Sequence, residues 1–338
     1  MKDLIVLKWK GGEIEINPLG CTMYPKFKIG NRILTPLHSA NWKNDKSNKH
    51  KKIPGILKNL RGEFPCVPFG INTSVGSLSK DWKNSFSKKP YIINDPHGFA
   101  ANNVWDLIKL TSKSAEFKIF YPKKDNIDYI MRTIKVNNKN PSKIDCSLKI
   151  IVKKDCKLPI GIHPMINIPN EKNKIKIIPG KFKFGLTYPG VMLSGNTLGK
   201  IDSEYSSINN VEGFIAKKIN LSKPPFEGNF EDLFQLCGSD GNIAIENYKD
   251  NYRFKYNWNP KHFSSVLIWI SNKGRAEYPW NKKHITVGLE PMTSAFGLSP
   301  YVSNNKKNPI NIRGVPTYLK FFKNFDWNTY YSFSIEEI

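Results

Sequence analysis

Five polar residues of this chain stand singly beside Gly or Pro in apolar surroundings. They are Arg61 in "NLRGEFPCVPFG", His97 in "DPHGF", His163 in "LPIGIHPMINIP", Asp232 in "NFEDLFQL" and Glu290 in "VGLEPMTSAFG". Glu290 has the least ordinary setting, because "TVGLEPM" places a carboxylate inside an apolar run just before a proline. Burial there disfavours the charged form and raises the pKa, the condition for a general base working near neutrality. An imidazole such as His163, with an unperturbed pKa of ~6.5, can pass a proton at neutral pH. A glycine after His97 lets another group come close to the backbone, since it has no Cβ. Taken singly, each residue also has an ordinary explanation. Arg61 could pair with a carboxylate, His97 could sit in a surface turn, His163 could pack at a strand end, and Asp232 could be an exposed turn acid.

The elements that must position these residues read as β-strands. "IDCSLKIIVKK" alternates Ile144, Cys146, Leu148, Ile150 and Val152 against polar neighbours, and "YRFKYNW" alternates Tyr252, Phe254, Tyr256 and Trp258. "TYYSFSIEE" puts Tyr331, Phe333 and Ile335 on one face, and "AEFKIFY" and "DYIMRTIKV" behave alike. Period-two alternation with β-branched and aromatic residues marks half-buried antiparallel strands. "EYPW", "PPFEGN", "GSDGN" and "NNKNPS" supply turns. No long amphipathic helix and no fixed-period repeat is visible. The pattern predicts an all-β fold, one large antiparallel sandwich filled by residues 1–338.

Composition narrows the function classes. The chain has 338 residues, 39% hydrophobic and 12% aromatic, which suits a packed core rather than disorder. No stretch approaches the ~20 apolar residues of a membrane helix, and the start "MKDLIVLKWKGGEIEI" does not read as a secretory signal. Cys21, Cys66, Cys146, Cys156 and Cys237 are scattered with no CxxC pair, which favours reduced thiols in a cytoplasm over a disulfide frame or a zinc site. The formal charge of +24 invites a nucleic-acid reading, but Arg occurs only at positions 32, 61, 132, 253, 275 and 313. The lysines are dispersed, whereas base readout leans on Arg and a backbone footprint needs a concentrated patch. The densest basic run, "NWKNDKSNKHKK", reads as a solvated loop. No nucleotide-binding, metalloprotease or nucleophile-elbow motif occurs.

The order of the five residues resembles a known family. Across nearly the full chain the sequence is similar to the aldose 1-epimerase (galactose mutarotase-like) family. "LRGEFPCVPFG" followed by "PHGFAANNVW" resembles the RGG-P-x-x-F-G and H-G-F-A-R-x-x-x-W pair of its hexose-6-phosphate 1-epimerase branch. "HPMINI" is similar to the family's H-x-Y-F-N segment, with His163 and Asn167 kept and Met165 in place of Tyr. "EDLFQL" resembles a D-R-x-Y-x segment and maps the substrate-binding Asp onto Asp232, and "GLEPMTSAFG" resembles the E-P segment that carries the base. "GEIEINPLGCTMYPKFKIGNRIL" is similar to the opening strands. The resemblance implies a large antiparallel β-supersandwich, a small-molecule sugar substrate, and no cofactor or metal.

The resemblance further implies mutarotation, in which a pyranose opens and its C1 aldehyde rotates before the ring closes on the other face. It makes Glu290 the base and His163 the acid, with His97, Arg61 and Asp232 binding the sugar. Trp105, Trp269 and Trp280 are candidates for an aromatic platform, although strand tryptophans also serve as core. One departure concerns the substrate. Where the hexose-phosphate branch has a phosphate-binding Arg, this chain has Ala101, which offers no bidentate partner. An unphosphorylated or otherwise modified sugar is therefore favoured, with an acidic sugar left open. Two other readings stay open: a carbohydrate-binding protein without turnover, and a glycoside hydrolase or lyase on a similar sandwich, since Asp232 and Glu290 could act as paired carboxylates.

Overall fold

Side-chain alternation builds the larger of the two surfaces that form the core. The computed structural model describes residues 3–72, 75–84, 95–192 and 196–338. One eight-stranded antiparallel sheet runs, in spatial order, through Ile175–Pro179, Asn242–Asn247, Tyr252–Trp258, Trp327–Glu337, Lys143–Val152, Ile127–Val136, Ser114–Phe120 and Asp106–Leu110. In Lys143–Val152 every second residue, from Ile144 to Val152, is buried. In Trp327–Glu337 the buried set includes Tyr331, Phe333 and Ile335. The register places Phe333 opposite Tyr256 on one side and Ile144 on the other, so the aromatic rows align. Phe333 stacks on Tyr256 at 4.4 Å between ring centroids. This is the backing sheet, with one face in the core and one in water. The turn "NNKNPS" joins Ile127–Val136 to Lys143–Val152, and "GSDGN" leads from Phe230–Cys237, a strand of the other sheet, into Asn242–Asn247.

The second sheet behaves differently. Its spatial order is Glu204–Tyr205, Phe184–Thr187, Phe230–Cys237, Ser265–Asn272, Ile285–Thr293, Ile160–Ile162 and Pro65–Cys66, with Met165–Ile166 also pairing along Ile285–Thr293. Ser265–Asn272 is buried at every position, and Ile285–Thr293 at every position but its first. Val266, Ile268, Ile270, Val287 and Leu289 face the core shared with the backing sheet. Leu267, Trp269 and Met292 face the other way, into a second apolar cluster. A sheet covered on both faces shows no alternation in its sequence, which is why these two strands carry no period-two signal.

A four-stranded N-terminal sheet (Ile5–Trp9, Gly12–Asn17, Thr22–Ile29, Arg32–Leu34) adds Ile14, Ile16, Met23 and Phe27 to the same core. Helical segments among the described residues span three to five residues each, so none is long and apolar enough to cross a membrane. The basic run read as a solvated loop is only partly so. Lys46, Lys49, Lys51 and Lys52 are exposed, but Lys43 is half-buried, Asn48–Lys52 forms a helical turn capped by Ser47, and Trp42 and His50 are buried.

One ion pair binds three of these layers. Arg132, on a backing strand, meets Glu63 with both side chains wholly out of water. Arg132 also donates to the carbonyl of Cys21, in the turn that leads into the N-terminal strand Thr22–Ile29, and Tyr331 donates to Glu63 Oε1 at 3.1 Å. Removing one partner of a buried pair leaves an uncompensated charge, whereas replacing both by apolar groups is often tolerated. Arg132→Met should therefore destabilise the protein by about 3–5 kcal/mol, read as a shifted urea midpoint. The double variant Arg132→Met, Glu63→Leu should recover most of that loss.

Candidate functional site

A cavity of about 380 Å³ opens on the outer face of the second sheet, where His97, His163, Trp269, Arg275, Trp280 and Glu290 stand in its wall. Glu290 faces this side because it lies opposite Leu267 in the register, with the parity of Met292 rather than of Leu289. Gly288, two residues earlier on the same face, is required there. A Cβ on it would fall 2.4 Å from Glu290 Oε1 and 3.1 Å from the Trp269 ring.

His163 reaches Glu290 directly, Nε2 to Oε1 at 3.3 Å. It sits between the strands Ile160–Ile162 and Met165–Ile166. Its backbone N–H donates to the carbonyl of Phe64 at 2.9 Å, and its ring stacks on Phe64 at 4.8 Å. Trp269 meets the same imidazole edge-on at 5.4 Å. Burial acts on the pair in opposite senses. It raises the Glu290 carboxyl well above the ordinary carboxylate range, with burial the sole cause. It lowers His163 well below the usual imidazole value, and the neighbouring His97 adds to the effect. Both shifts favour the uncharged partners, a carboxylic acid beside a neutral imidazole.

His97 lies edge-on to His163 at 5.2 Å and to Phe69 at 5.0 Å. Burial first, and the charge of Arg275 second, pull its pKa down to about 4. Its backbone is left-handed, φ 59°, and is held by its N–H donating to the carbonyl of Gly70 at 2.8 Å. The glycine that follows has a different purpose from the one suggested by sequence. Gly98 takes φ 84°, and a Cβ there would meet the carbonyl oxygen of Val67 at 2.2 Å. What approaches is the protein's own Val67–Pro68 segment, not a ligand. Ala101 is buried beneath the surface and does not reach the cavity.

Two of the five residues singled out by sequence point elsewhere. Arg61 ion-pairs with Glu15 at 2.7 Å and lies over the ring of Tyr24, 4.0 Å from its centroid, facing the N-terminal sheet. Asp232 shares strand parity with the core residues Phe234 and Leu236. Its carboxylate accepts from the backbone N–H of Leu198 at 2.8 Å, Gly199 at 2.9 Å and Leu233 at 2.7 Å. Burial pushes its pKa up to about 7 against those three bonds. Asp232 thus clamps a loop to the sheet edge.

Their places near the cavity are taken by two residues that sequence reading passed over. Glu231, one position earlier, faces the cavity side of the strand and is almost wholly buried. It accepts from Trp269 Nε1 at 2.6 Å and ion-pairs with Arg275 at 2.7 Å. Arg275 comes from the loop after Ser265–Asn272, and its guanidinium lies 4.5 Å from the centroid of Trp280. The available signals were weak: a Glu adjacent to the Asp, and one of few arginines in a lysine-rich chain, five residues before a tryptophan. Trp269 and Trp280 stand at the cavity, whereas Trp105 is core, its Nε1 donating to the carbonyl of Ala100.

No sequence-family description and no curated protein matches this chain. Solved structures match it in shape. A provisionally assigned aldose 1-epimerase of Escherichia coli K12 aligns over 99% of both chains with a TM-score of 0.65 at 12% identity. A galactose mutarotase-like protein of Clostridium acetobutylicum aligns over 99% of this chain and 95% of its own, TM-score 0.62, at 17% identity. The GalM/aldose epimerase homologue of C. elegans aligns over 99% of each, TM-score 0.62, at 13% identity. Nothing at the level of sequence singles out a hexose-6-phosphate branch. The chain has the galactose mutarotase-like fold.

Proposed function

We propose that this protein is an aldose 1-epimerase, acting by general acid–base ring opening on a hexose or related sugar. The observation that carries the reading is the Glu290–His163 contact, 3.3 Å apart in the wall of a sugar-sized cavity. Mutarotation needs one base and one acid close together, because the C1 hydroxyl and the ring oxygen hang from the same carbon. The proton that rests on Glu290 first passes to His163 across their contact; ionised Glu290 then takes the proton of the C1 hydroxyl, the C1–O5 bond breaks to give the aldehyde, and His163 delivers its proton to O5. After rotation about C1–C2, O5 attacks the other face of C1. His163 recovers its proton and Glu290 returns one to O1.

The pair holds one proton before and one proton after opening. Opening turns a carboxylate and an imidazolium into a carboxylic acid and a neutral imidazole. Burial favours that second arrangement, so the site stabilises the protonation state that accompanies the open-chain aldehyde. His97, uncharged, is placed to hydrogen-bond a ring hydroxyl. Trp269 and Trp280 offer apolar faces, and Arg275 brings guanidinium donors. Because Glu231 balances the charge of Arg275, an uncharged sugar fits best. The five unpaired cysteines suit a reducing compartment such as the cytoplasm.

The direct test dissolves pure α-anomers of glucose, galactose and mannose and follows equilibration by polarimetry or NMR. Acceleration by the protein is expected for at least one sugar. Cleavage of an oligosaccharide with no anomer equilibration would overturn the reading. Glu290→Gln and His163→Ala should each slow turnover by about 10²–10⁴-fold, with the thermal melt nearly unchanged.

A second outcome concerns pH. The active pair carries one proton, so activity falls when it gains a second, on His163, or loses its only one, from Glu290. The His163 pKa is lowered, so the acid limb of kcat/KM should lie below pH 6.5, the ordinary imidazole value. The Glu290 pKa is raised, so the alkaline limb should lie well above 4.5. An acid limb centred above pH 6.5 would contradict the shared-proton account. A third outcome separates the neighbouring carboxylates. Arg275→Ala should raise KM by about 10- to 100-fold, the value of one or two hydrogen bonds from a charged donor. Asp232→Ala should instead lower the melting temperature, at a cost of about 1–3 kcal/mol, with KM little changed.

A further inference from the structure

Behind the tryptophans lies a second cavity, of about 580 Å³, walled by residues that the sugar reading does not use. Its rim carries Lys273, Lys282 and Lys283, and its inner wall carries His38, Ser39 and His284. No Asp or Glu stands among the described residues that line it. Among the described residues seven lysines pair with carboxylates, as Lys26 does with Glu13 and Glu15. Among the described residues, none of these three forms an ion pair.

The inner wall is equally unsatisfied. His38 Nε2, Ser39 Oγ and His284 Nε2 are buried and have no hydrogen-bond partner. Buried polar atoms without partners are uncommon, and three at one cavity call for an occupant. His284 is only 3% exposed. Its Nδ1 already meets Ser271 Oγ at 2.8 Å, and its ring lies 4.8 Å from that of His38. Trp280 packs on its other side at 4.9 Å, so this imidazole closes the second cavity while its neighbour walls the first.

The backbone that presents the lysines is also specialised. Lys273, Asn281 and Lys282 all adopt left-handed conformations, φ 61°, 47° and 55°. Such conformations persist in non-glycine residues only where the surroundings over-determine them, and they gather at functional sites. Three bonds hold them here: Lys273 N–H donates to the His284 carbonyl at 2.8 Å, Asn281 N–H to the Glu277 carbonyl at 3.1 Å, and Lys282 N–H to the Arg275 carbonyl at 2.8 Å.

We propose that this second cavity binds an oxyanion of the phosphate class, at a site separate from the sugar cavity. Three lysine ammonium groups with no carboxylate among the described lining residues oppose a cation and favour an anion. A tetrahedral oxyanion presents acceptors on every side, to the ammonium rim, to the Ser39 hydroxyl and to whichever of the His38 and His284 Nε2 atoms carries a hydrogen. The source is either free phosphate or the phosphate of a phosphomonoester. The inference does not rest on the mutarotase reading.

The test is calorimetric titration with inorganic phosphate at low ionic strength, where surface charge is least screened. Saturable binding is expected. It should weaken at least tenfold in Lys273→Gln, Lys282→Gln and persist in Lys273→Arg, Lys282→Arg. It should be unchanged in the remote double variant Lys124→Gln, Lys139→Gln and in Arg275→Gln. A parallel titration with glucose 6-phosphate separates the sources. Equal or tighter binding that depends on Lys273 and Lys282 assigns a phosphomonoester, and binding of inorganic phosphate alone assigns the free ion. The proposal is overturned by absence of saturable binding to both probes. It is also overturned by equal loss in the remote variant, which would mark diffuse attraction to a highly basic surface. Loss in Arg275→Gln alone would place the anion in the sugar cavity and overturn it too.

Discussion

Arg132 and Glu63 meet where neither side chain touches water, and the geometry of the candidate site follows from how that charge pair is satisfied. Taking two ions out of water costs several kcal/mol each in a protein interior, and good geometry with further hydrogen bonds must offset it. The Cys21 carbonyl and the Tyr331 hydroxyl supply those bonds, one from the turn before Thr22–Ile29 and one from the backing sheet. Glu63 N–H and carbonyl are in turn bonded to Met23 in both directions. The segment is thus fixed in position, and the next residue is Phe64. His163 stacks on the Phe64 ring and donates its backbone N–H to the Phe64 carbonyl. A polar interaction in the core therefore sets the orientation of an imidazole on the far side of the sheet.

The second constraint is the double coverage of the strands Ser265–Asn272 and Ile285–Thr293. A strand with one face in water would hold Glu290 hydrated and acidic. With both faces covered, the carboxyl is desolvated and its affinity for a proton rises. Trp269, on one of these strands, and Trp280, from the loop between them, belong to the second apolar cluster and stand in the cavity wall. Gly288 leaves the room that Glu290 and Trp269 need side by side.

Much of the fold was legible because half-buried strands alternate visibly: Ile144 to Val152, Tyr252 to Trp258 and Tyr331 to Ile335 all keep their predicted faces. The strands that carry the site were not legible in this way, since burial on both faces erases the period. There only the oddity of a carboxylate in an apolar run was visible. Adjacent carboxylates exposed the limit most clearly. Glu231 and Asp232 differ by one residue, and strand parity sends one to the cavity and the other to the core. Sequence alone did not state which face was which. Arg61 failed for a related reason. Its ordinary explanation, a carboxylate partner, proved to be its position, and the partner Glu15 comes from the distant N-terminal sheet. Arg275 was hidden because a loop, not a strand, delivers it.

The displacement of Arg61 bears on the chemistry itself. A guanidinium free to face Glu290 would stabilise its carboxylate and lower its pKa, weakening it as a base. Arg61 is instead held by Glu15 over Tyr24, outside the cavity wall. The one arginine in that wall, Arg275, is bound by Glu231, so its charge is compensated at short range. Its residual field is felt by His97, whose pKa it lowers further. Glu290 shows no such influence, with burial the only cause of its shift. The two neighbouring salt bridges thus separate two requirements that would otherwise conflict: donors strong enough to hold a sugar, and a carboxyl left basic enough to take its proton.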